Sequence, residues 1–190
     1  EGFDYKKTNE VIVNSSLDKL LDKKIILSDK LKIPTITHKV YLVSKQNPSS
    51  LNDFYIEELK VNINKLNSLD QNWQHNIWTN DPDIFPEEIK SLKSVQVRMP
   101  EDLKDSPLFE TLLEIIAKGQ TVKPHLAEAA DLIRLMAVQK FGGVYSDLDY
   151  EIYNPEALLE LMKKFDFIGG REKQSEFSYY GNAFIAAKPN

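Results

Sequence analysis

Two acidic residues, Asp147 and Asp149, lie two positions apart shortly after the glycine pair Gly142-Gly143. In a strand, alternate side chains point to the same face, so both carboxylates are expected on one side. Carboxylates that converge at the end of a strand can bind a hard divalent cation, which prefers oxygen ligands and commonly bridges to the phosphates of a substrate. The glycine pair is expected to end the preceding helix in a left-handed conformation and to aim the acids.

The segment before the glycines has the pattern of a buried helix. Residues 126–141 are apolar around nearly the whole helical circumference, and Glu128 and Gln139 share the one polar sector. Asp131 and Arg134 lie outside that sector, three residues apart, so they can pair. Inside an apolar surround the two charges have to be satisfied. They can form a structural ion pair or a polar floor for a ligand, and the helix alone favours neither.

The helix, the glycine turn and the acid pair together resemble the DXD sugar-nucleotide-binding region of glycosyltransferases. The similarity is to the glucosylating domains of large clostridial toxins and to the DXD mannosyltransferases of yeast. A lone pair of acids at this spacing occurs by chance in many acidic proteins, so the combination of helix, spacing and turn carries the resemblance. The matching residues are Ala129, Ala130, Asp131 and Arg134 on the helix and Gly142, Gly143, Tyr145, Asp147 and Asp149 after it.

Three other segments support the resemblance. Residues 33–42 are similar to the first strand of the family, in which an aromatic residue at the position of Tyr41 stacks on the base of the donor. Residues 78–81 resemble the end of the second strand, where Asn80 takes the place of a residue that contacts the base. Asn182 begins a segment similar to a later strand, whose Asn reaches the sugar site.

The resemblance implies metal-dependent transfer of a sugar from a nucleotide-sugar donor, with retention of the anomeric configuration. Asp149 would be the direct ligand of Mn²⁺ or Mg²⁺, and Asp147 would contact ribose or sugar hydroxyls beside it. Asp131 and Arg134 would hold sugar hydroxyls, with the guanidinium placed against developing charge. The other implied donor contacts are Tyr145 at the diphosphate or sugar, Tyr41 at the base, Leu126 and Ala130 in the base pocket, Asn80 and Asn182.

Strands alternate with helices along the chain, which predicts an α/β fold with a largely parallel sheet. The resemblance narrows this to a GT-A-like, mixed sheet flanked by helices, in which ligands bind at the carboxyl ends of strands. Residues 1–32 are predicted to form a helical N-terminal extension, and residues 33–190 the nucleotide-sugar-binding domain, truncated at its C-terminus. The predicted strands are 33–43, 74–79, 95–98, 165–169 and 183–187, and the main predicted helices are 51–66, 110–118, 124–141 and 155–164.

Composition excludes several classes of protein. The net charge of −5 argues against a nucleic-acid-binding protein, and no apolar run approaches the roughly 18 residues of a membrane-spanning helix. Without cysteine there is no thiolate catalysis, and His38, His75 and His125 lack the spacing of a zinc site. The toxin resemblance favours a secreted bacterial effector with a host protein as one candidate acceptor. The alternative is a non-catalytic nucleotide-sugar-binding, metal-binding or partner-recruiting module of a larger effector.

Some polar and aromatic residues favour packing over chemistry. His38 is expected in the core or behind the site, and Trp73 and Trp78 in the core. Glu151 shares the strand parity of the acid pair and can extend it, although a solvated edge is the more common place for such a residue. The aromatic segment 177–181 can line the sugar or acceptor side or simply pack.

Overall fold

Six strands in the described part of the chain form one mixed sheet. The computed structural model describes residues 30–46, 51–69, 71–122, 124–174 and 177–190. The sheet order is β3-β2-β1-β4-β6-β5; the first four strands in that order are parallel, and β6 runs antiparallel to both β4 and β5. The predicted mixed, largely parallel sheet is therefore confirmed. The strands are Ile36–Val40 (β1), Gln74–Trp78 (β2), Val95–Arg98 (β3), Gly143–Ser146 (β4), Phe167–Gln174 (β5) and Phe177–Ala187 (β6).

Helices join the strands and supply the rest of the core. Leu31–Asn190 forms one compact unit, and the predicted extension 1–32 lies almost entirely outside the described residues. No helix among the described residues is long and apolar enough to cross a membrane. The helices are Asp53–Asn67 (α1), Glu87–Lys90 (α2), Phe109–Gly119 (α3), Pro124–Phe141 (α4) and Pro155–Lys164 (α5), with 3₁₀ turns at Pro82–Ile84 and Pro100–Leu103.

Element boundaries differ from the predictions where tertiary pairing decides them. β1 covers only 36–40 of the predicted 33–43, and α1 begins at Asp53 instead of 51, with the side chain of Asn52 as its cap. The last two strands are longer than predicted, because β5 and β6 pair with each other along an antiparallel hairpin. The aromatic segment 177–181 therefore belongs to a strand.

The long helix α4 buries a broad face instead of its whole surface. Ala129, Ile133 and Met136 lie in the core between α4 and the sheet, together with Trp78. Leu135 is 52% exposed, on the same side as the predicted polar sector. The predicted buried helix is thus confirmed apart from its polar sector, where one side of α4 faces solvent. Trp73 and Trp78 are core residues, as predicted.

The glycine pair makes the connection between α4 and β4 possible. Gly142 and Gly143 both have positive φ, 66° and 94°, which confirms the left-handed conformation predicted there. A Cβ on Gly143 would lie 2.2 Å from the carbonyl oxygen of Ile36, and one on Gly142 would lie 2.5 Å from Cδ of Pro189. The close approach lets β4 pair with β1 on one side and β6 on the other, which places the acids at the end of a central strand.

Stability should fall as the pH drops from 6.5 towards 4. Burial lowers the pKa of His38 and of His75 from 6.5 to about 4. The unfolded chain therefore binds these protons near pH 6.5, whereas the folded protein binds them only near pH 4, so the contribution of the two histidines to stability is fully present above pH 6.5. We expect the free energy of unfolding in urea to fall by roughly 2–3 kcal/mol per histidine between pH 7 and pH 4.5.

The variant His75→Gln provides the control for this pH dependence. Glutamine can still bond to Asn67, whose Oδ1 lies 3.1 Å from Nε2 of His75, but it does not titrate. The pH-dependent loss should be about half as large in this variant. A free energy of unfolding that stays constant from pH 7 to pH 4.5 in the wild-type protein would contradict the prediction.

Candidate functional site

The two acids of the sequence motif lie at the carboxyl end of β4, in a turn. β4 ends at Ser146, and the amide of Tyr150 donates to the carbonyl of Asp147 at 3.0 Å. Strand alternation therefore cannot be extended to Asp149, and the predicted geometry of two acids along one strand is corrected to a turn that carries both. The side chain of Asp147 is 37% exposed, and Asp149 is exposed.

Arg134 joins three elements at this turn. Its side chain is only 9% exposed, and its Nη2 lies 2.8 Å from Oδ1 of Asp131. Nη1 donates to the carbonyl of Asn182 on β6 at 2.7 Å and lies 3.4 Å from Oδ1 of Asp147. The amide of Asn182 also donates to Oδ1 of Asp131 at 3.0 Å. The structure thus brings together four predicted site residues from α4, the turn and β6, which we call the Arg134 cluster: Asp131, Arg134, Asp147 and Asn182.

Tyr145 forms one wall of the Arg134 cluster. The guanidinium carbon of Arg134 lies 4.5 Å from the centre of its ring, a cation–π contact. Its hydroxyl donates to Oδ1 of Asp147 at 2.5 Å. Burial, followed by the hydrogen bond to Asp147, raises the pKa of the Tyr145 hydroxyl, so the phenol stays protonated as a donor. The contacts on Asp147 fall on Oδ1, so the residue can turn Oδ2 towards a ligand.

The carboxylates fit a cation that takes part of its coordination from a substrate. Among the described residues no group of three or more acidic or histidine side chains lies close enough to hold a metal. Glu151 pairs with Lys65 instead of extending the acid pair. Asp147 and Asp149 offer carboxylate oxygens, and Mg²⁺-like ions are commonly held by one or two carboxylates together with substrate phosphates. The residues present therefore suit a metal bound together with a diphosphate.

Tyr41 lies at the same end of the sheet, beyond the carboxyl end of β1. Its ring packs against Tyr55 and Phe85, with centroid separations of 6.3 and 6.5 Å. It belongs to the same apolar cluster as Leu148, the residue between the two acids.

The other residues expected at the base have structural contacts. Both polar atoms of the Asn80 side chain bond to the backbone of Val43, at 2.9 and 2.8 Å, and so shape the loop after β1. Leu126 packs against Gly119, where a Cβ would come within 2.5 Å of its side chain. Ala130 is partly buried against the core. No hydrogen bond or ring contact in the described part of the chain connects Tyr41, Asn80, Leu126 or Ala130 to the Arg134 cluster.

Two buried polar residues at the turn, Lys39 and Asn62, were not predicted from the sequence. Lys39 on β1 is 5% exposed, and its Nζ donates to the carbonyls of Asp147 at 2.6 Å and Tyr150 at 3.3 Å. Burial lowers its pKa to about 7, against the opposing influence of Asp147 and Asp149. Asn62 on α1 donates to the carbonyl of Tyr150 and accepts from the amide of Ile152. The sequence feature that could have identified Lys39 is its position as a lysine among the residues of a buried strand. His38 lies in the core, bonded to the carbonyl of Gly142.

Solved structures with the same fold were found at low identity. The PaToxG glycosyltransferase aligns at 17% identity with a TM-score of 0.57, over 97% of this chain and 64% of that one. A protein described only as a transferase aligns at 11% identity with a TM-score of 0.51, over 86% of this chain and 75% of that one. Both likenesses establish a shared fold. This chain spans less than two thirds of the length of the PaToxG structure.

A toxin domain also aligns with this chain, over a smaller part of it. The ligand-free glycosyltransferase domain of the YGT toxin aligns at 14% identity with a TM-score of 0.46, over 64% of this chain and 40% of that one. Among curated proteins no relative was found.

A family match covers the part of the chain that carries the site. Residues 57–167 match the family described as the glycosyltransferase sugar-binding region containing the DXD motif. The matched range is more than half of the 190 residues and includes Asp131, Arg134, Asp147 and Asp149. The chain belongs to this glycosyltransferase family, whose sugar-binding region contains the DXD motif.

Proposed function

We propose that the domain transfers a sugar from a UDP- or GDP-sugar to an acceptor, with Mn²⁺ or Mg²⁺ and with retention of the anomeric configuration. The observation that carries the proposal is the Arg134 cluster at the carboxyl end of β4, where a buried guanidinium lies beneath carboxylates that are half exposed. Ligands of α/β sheets bind at such strand ends. Family membership supports sugar transfer, and the acid turn supports the metal.

The charge that develops during the reaction explains this arrangement. Breaking the anomeric bond leaves a nucleoside diphosphate with additional negative charge, which a bound divalent cation neutralises as a Lewis acid. In our proposal Asp149 is the direct ligand, and Asp147 lies beside it towards ribose or sugar hydroxyls. Arg134 adds a fixed positive charge at the floor of the site, where a guanidinium held by several partners needs no reorganisation during the reaction.

The remaining cluster residues bind and orient the sugar. Asp131 uses Oδ1 for Arg134 and Asn182 and is 50% exposed, so its other oxygen can accept from a sugar hydroxyl. Tyr145 holds Asp147 in one orientation by donating to Oδ1. Asn182 is exposed and extends the same floor from β6.

The base of the donor is proposed to lie towards the end of β1. Tyr41 offers an aromatic ring there, and Leu126 and Ala130 supply apolar surface from α4. Asn80 holds the loop after β1, and a direct contact with the base would compete with its two hydrogen bonds to Val43. The resemblance to toxin domains makes a host-cell protein the first acceptor to test.

A donor screen tests the proposed function. Purified protein should hydrolyse at least one of a set of UDP- and GDP-sugars, with water in the place of the acceptor. Release of nucleoside diphosphate should require Mn²⁺ or Mg²⁺ and should stop on addition of a chelator. The configuration of the released sugar, followed by NMR before mutarotation, tests retention. Turnover that a chelator leaves undiminished would contradict the metal assignment, and no cleavage of any donor, alone or with host-cell extract as the source of acceptor, would contradict the proposed function.

A further inference from the structure

The turn that carries the acid pair rests on two buried polar side chains. Lys39 donates to the carbonyls at both ends of the turn, those of Asp147 and Tyr150. Asn62 donates to the carbonyl of Tyr150 and accepts from the amide of Ile152. Four contacts from two different elements, β1 and α1, therefore fix the backbone from Asp147 to Ile152 from beneath.

Placing an ammonium group here is costly, since burial removes its charge from water. Lys39 and Asn62 are 5% and 3% exposed. Apolar side chains line the small cavity that both residues face, and removing a charge from water is unfavourable unless it is compensated. The compensation comes from the hydrogen bonds to two backbone carbonyls of the turn and from the charges of the Asp147, Asp149 and Glu58 carboxylates. The lining combines apolar side chains, Leu59, Ile63, Leu66, Ile77 and Ile152, with the polar side chains of Thr37, His75, Asn76 and Ser146.

The turn carbonyls do not need Lys39 in order to be satisfied. The carbonyl of Asp147 also accepts from the amide of Tyr150, and the carbonyl of Tyr150 also accepts from Asn62. Removing the ammonium would leave each carbonyl with one partner, so satisfaction of buried backbone groups does not explain a buried lysine. What Lys39 adds is a fixed distance between the two ends of the turn that presents Asp149.

We infer that Lys39 is a positioning residue, which together with Asn62 holds the Asp147–Tyr150 turn in the conformation that binds a divalent cation and the donor diphosphate. The inference rests on the proposed function. Groups that orient metal ligands from behind typically change metal affinity by about 10–100-fold when they are removed. Lys39 acts on the backbone of the turn, so its effect should appear in metal-supported binding and in the mobility of the turn.

The test replaces Lys39 by methionine, which has a similar length and lacks the ammonium group that donates the two hydrogen bonds. Isothermal titration with UDP and with GDP, each in Mn²⁺, should show affinity about 10–100-fold weaker than in the wild-type protein. Titration in chelator should show no difference between the two, and the melting temperature should change by only a few degrees. Hydrogen exchange of the ligand-free protein should be faster at the amides of residues 148–152 in Lys39→Met.

Lys140→Met is the matched control. Lys140 also donates to a backbone carbonyl, that of Asp102 at 2.7 Å, but at the far end of α4. This variant should bind nucleotide and exchange at residues 148–152 like the wild-type protein.

Two results would overturn the inference: unchanged metal-supported affinity in Lys39→Met, or affinity that falls equally with and without Mn²⁺. If the wild-type protein binds neither nucleotide with Mn²⁺, that result contradicts the proposed function and says nothing about Lys39. Hydrogen exchange in the ligand-free protein then decides whether Lys39 holds the turn, and unchanged exchange would overturn that role.

Discussion

Asp149→Ala should abolish metal-dependent donor turnover and leave the fold intact. Asp149 is exposed in the turn after β4, so its removal creates no cavity and no unpaired buried group. Loss of the direct ligand removes the site that would neutralise the leaving diphosphate, a contribution of several kcal/mol in metal enzymes. The expected decrease in kcat/KM is at least about 100-fold, since each 1.4 kcal/mol corresponds to a factor of ten. Donor hydrolysis in Mn²⁺ and unfolding in urea, measured on one preparation, check both parts.

Asp105→Asn is the matched control for this experiment. Asp105 is another exposed acid, paired with Lys140 at 3.1 Å near the C-terminal end of α4. Lys140 lies nine positions after Asp131, roughly two and a half helical turns away. The control should keep wild-type turnover and stability. Full activity of Asp149→Ala would refute the metal assignment.

Arg134→Ala should reduce donor turnover by at least about 100-fold and cost only about 1–2 kcal/mol of stability. Removing one partner of a fully buried ion pair usually costs about 3–5 kcal/mol, because a charge is left unpaired away from water. Here Asp131 and Asp147 are 50% and 37% exposed, so water can solvate both carboxylates once the guanidinium is gone. The remaining cost comes from the lost bond to Asn182 and the lost contact with the Tyr145 ring.

Arg98→Ala provides a matched control, because Arg98 has a similar environment outside the Arg134 cluster. Its side chain is 15% exposed, pairs with Asp102 at 3.1 Å, and lies 4.6 Å from the ring centre of Phe141. It should lose comparable stability and keep its turnover. If Arg134→Ala instead loses several kcal/mol while the folded fraction turns over donor normally, Arg134 and Asp131 are a structural ion pair. Urea unfolding and donor hydrolysis on the same preparations distinguish these results.

Local features of the sequence were sufficient for the order of elements around the site. The boundaries of β3, α4 and α5 agree with the predictions, because Pro124 and Pro155 begin helices and the apolar periodicity continues from there. The glycine pair also predicted its own conformation, since glycine has no Cβ to oppose a positive φ. Each of these properties depends on residues close together in the chain.

Contacts between distant segments decided the rest of the site. Alternate side chains share one face only while the strand continues. The turn that begins at Asp147 ends the alternation before Asp149. The helix pattern could not choose between an ion pair and a ligand floor, because the choice depends on Asn182 and Asp147, which reach Arg134 only through the order of β4 and β6.

Lys39 shows most clearly which contacts cannot be predicted from the sequence. In the sequence it is one polar residue in a short strand, 108 positions before the acid whose carbonyl it binds. Its burial and its partners arise because β1 pairs in parallel with β4, which brings the ends of both strands to one edge of the sheet. The sequence by itself therefore determined which chemical groups are present and their local conformation. Only the tertiary structure decided which groups meet, since parallel pairing joins segments whose separation along the chain carries no signal of contact.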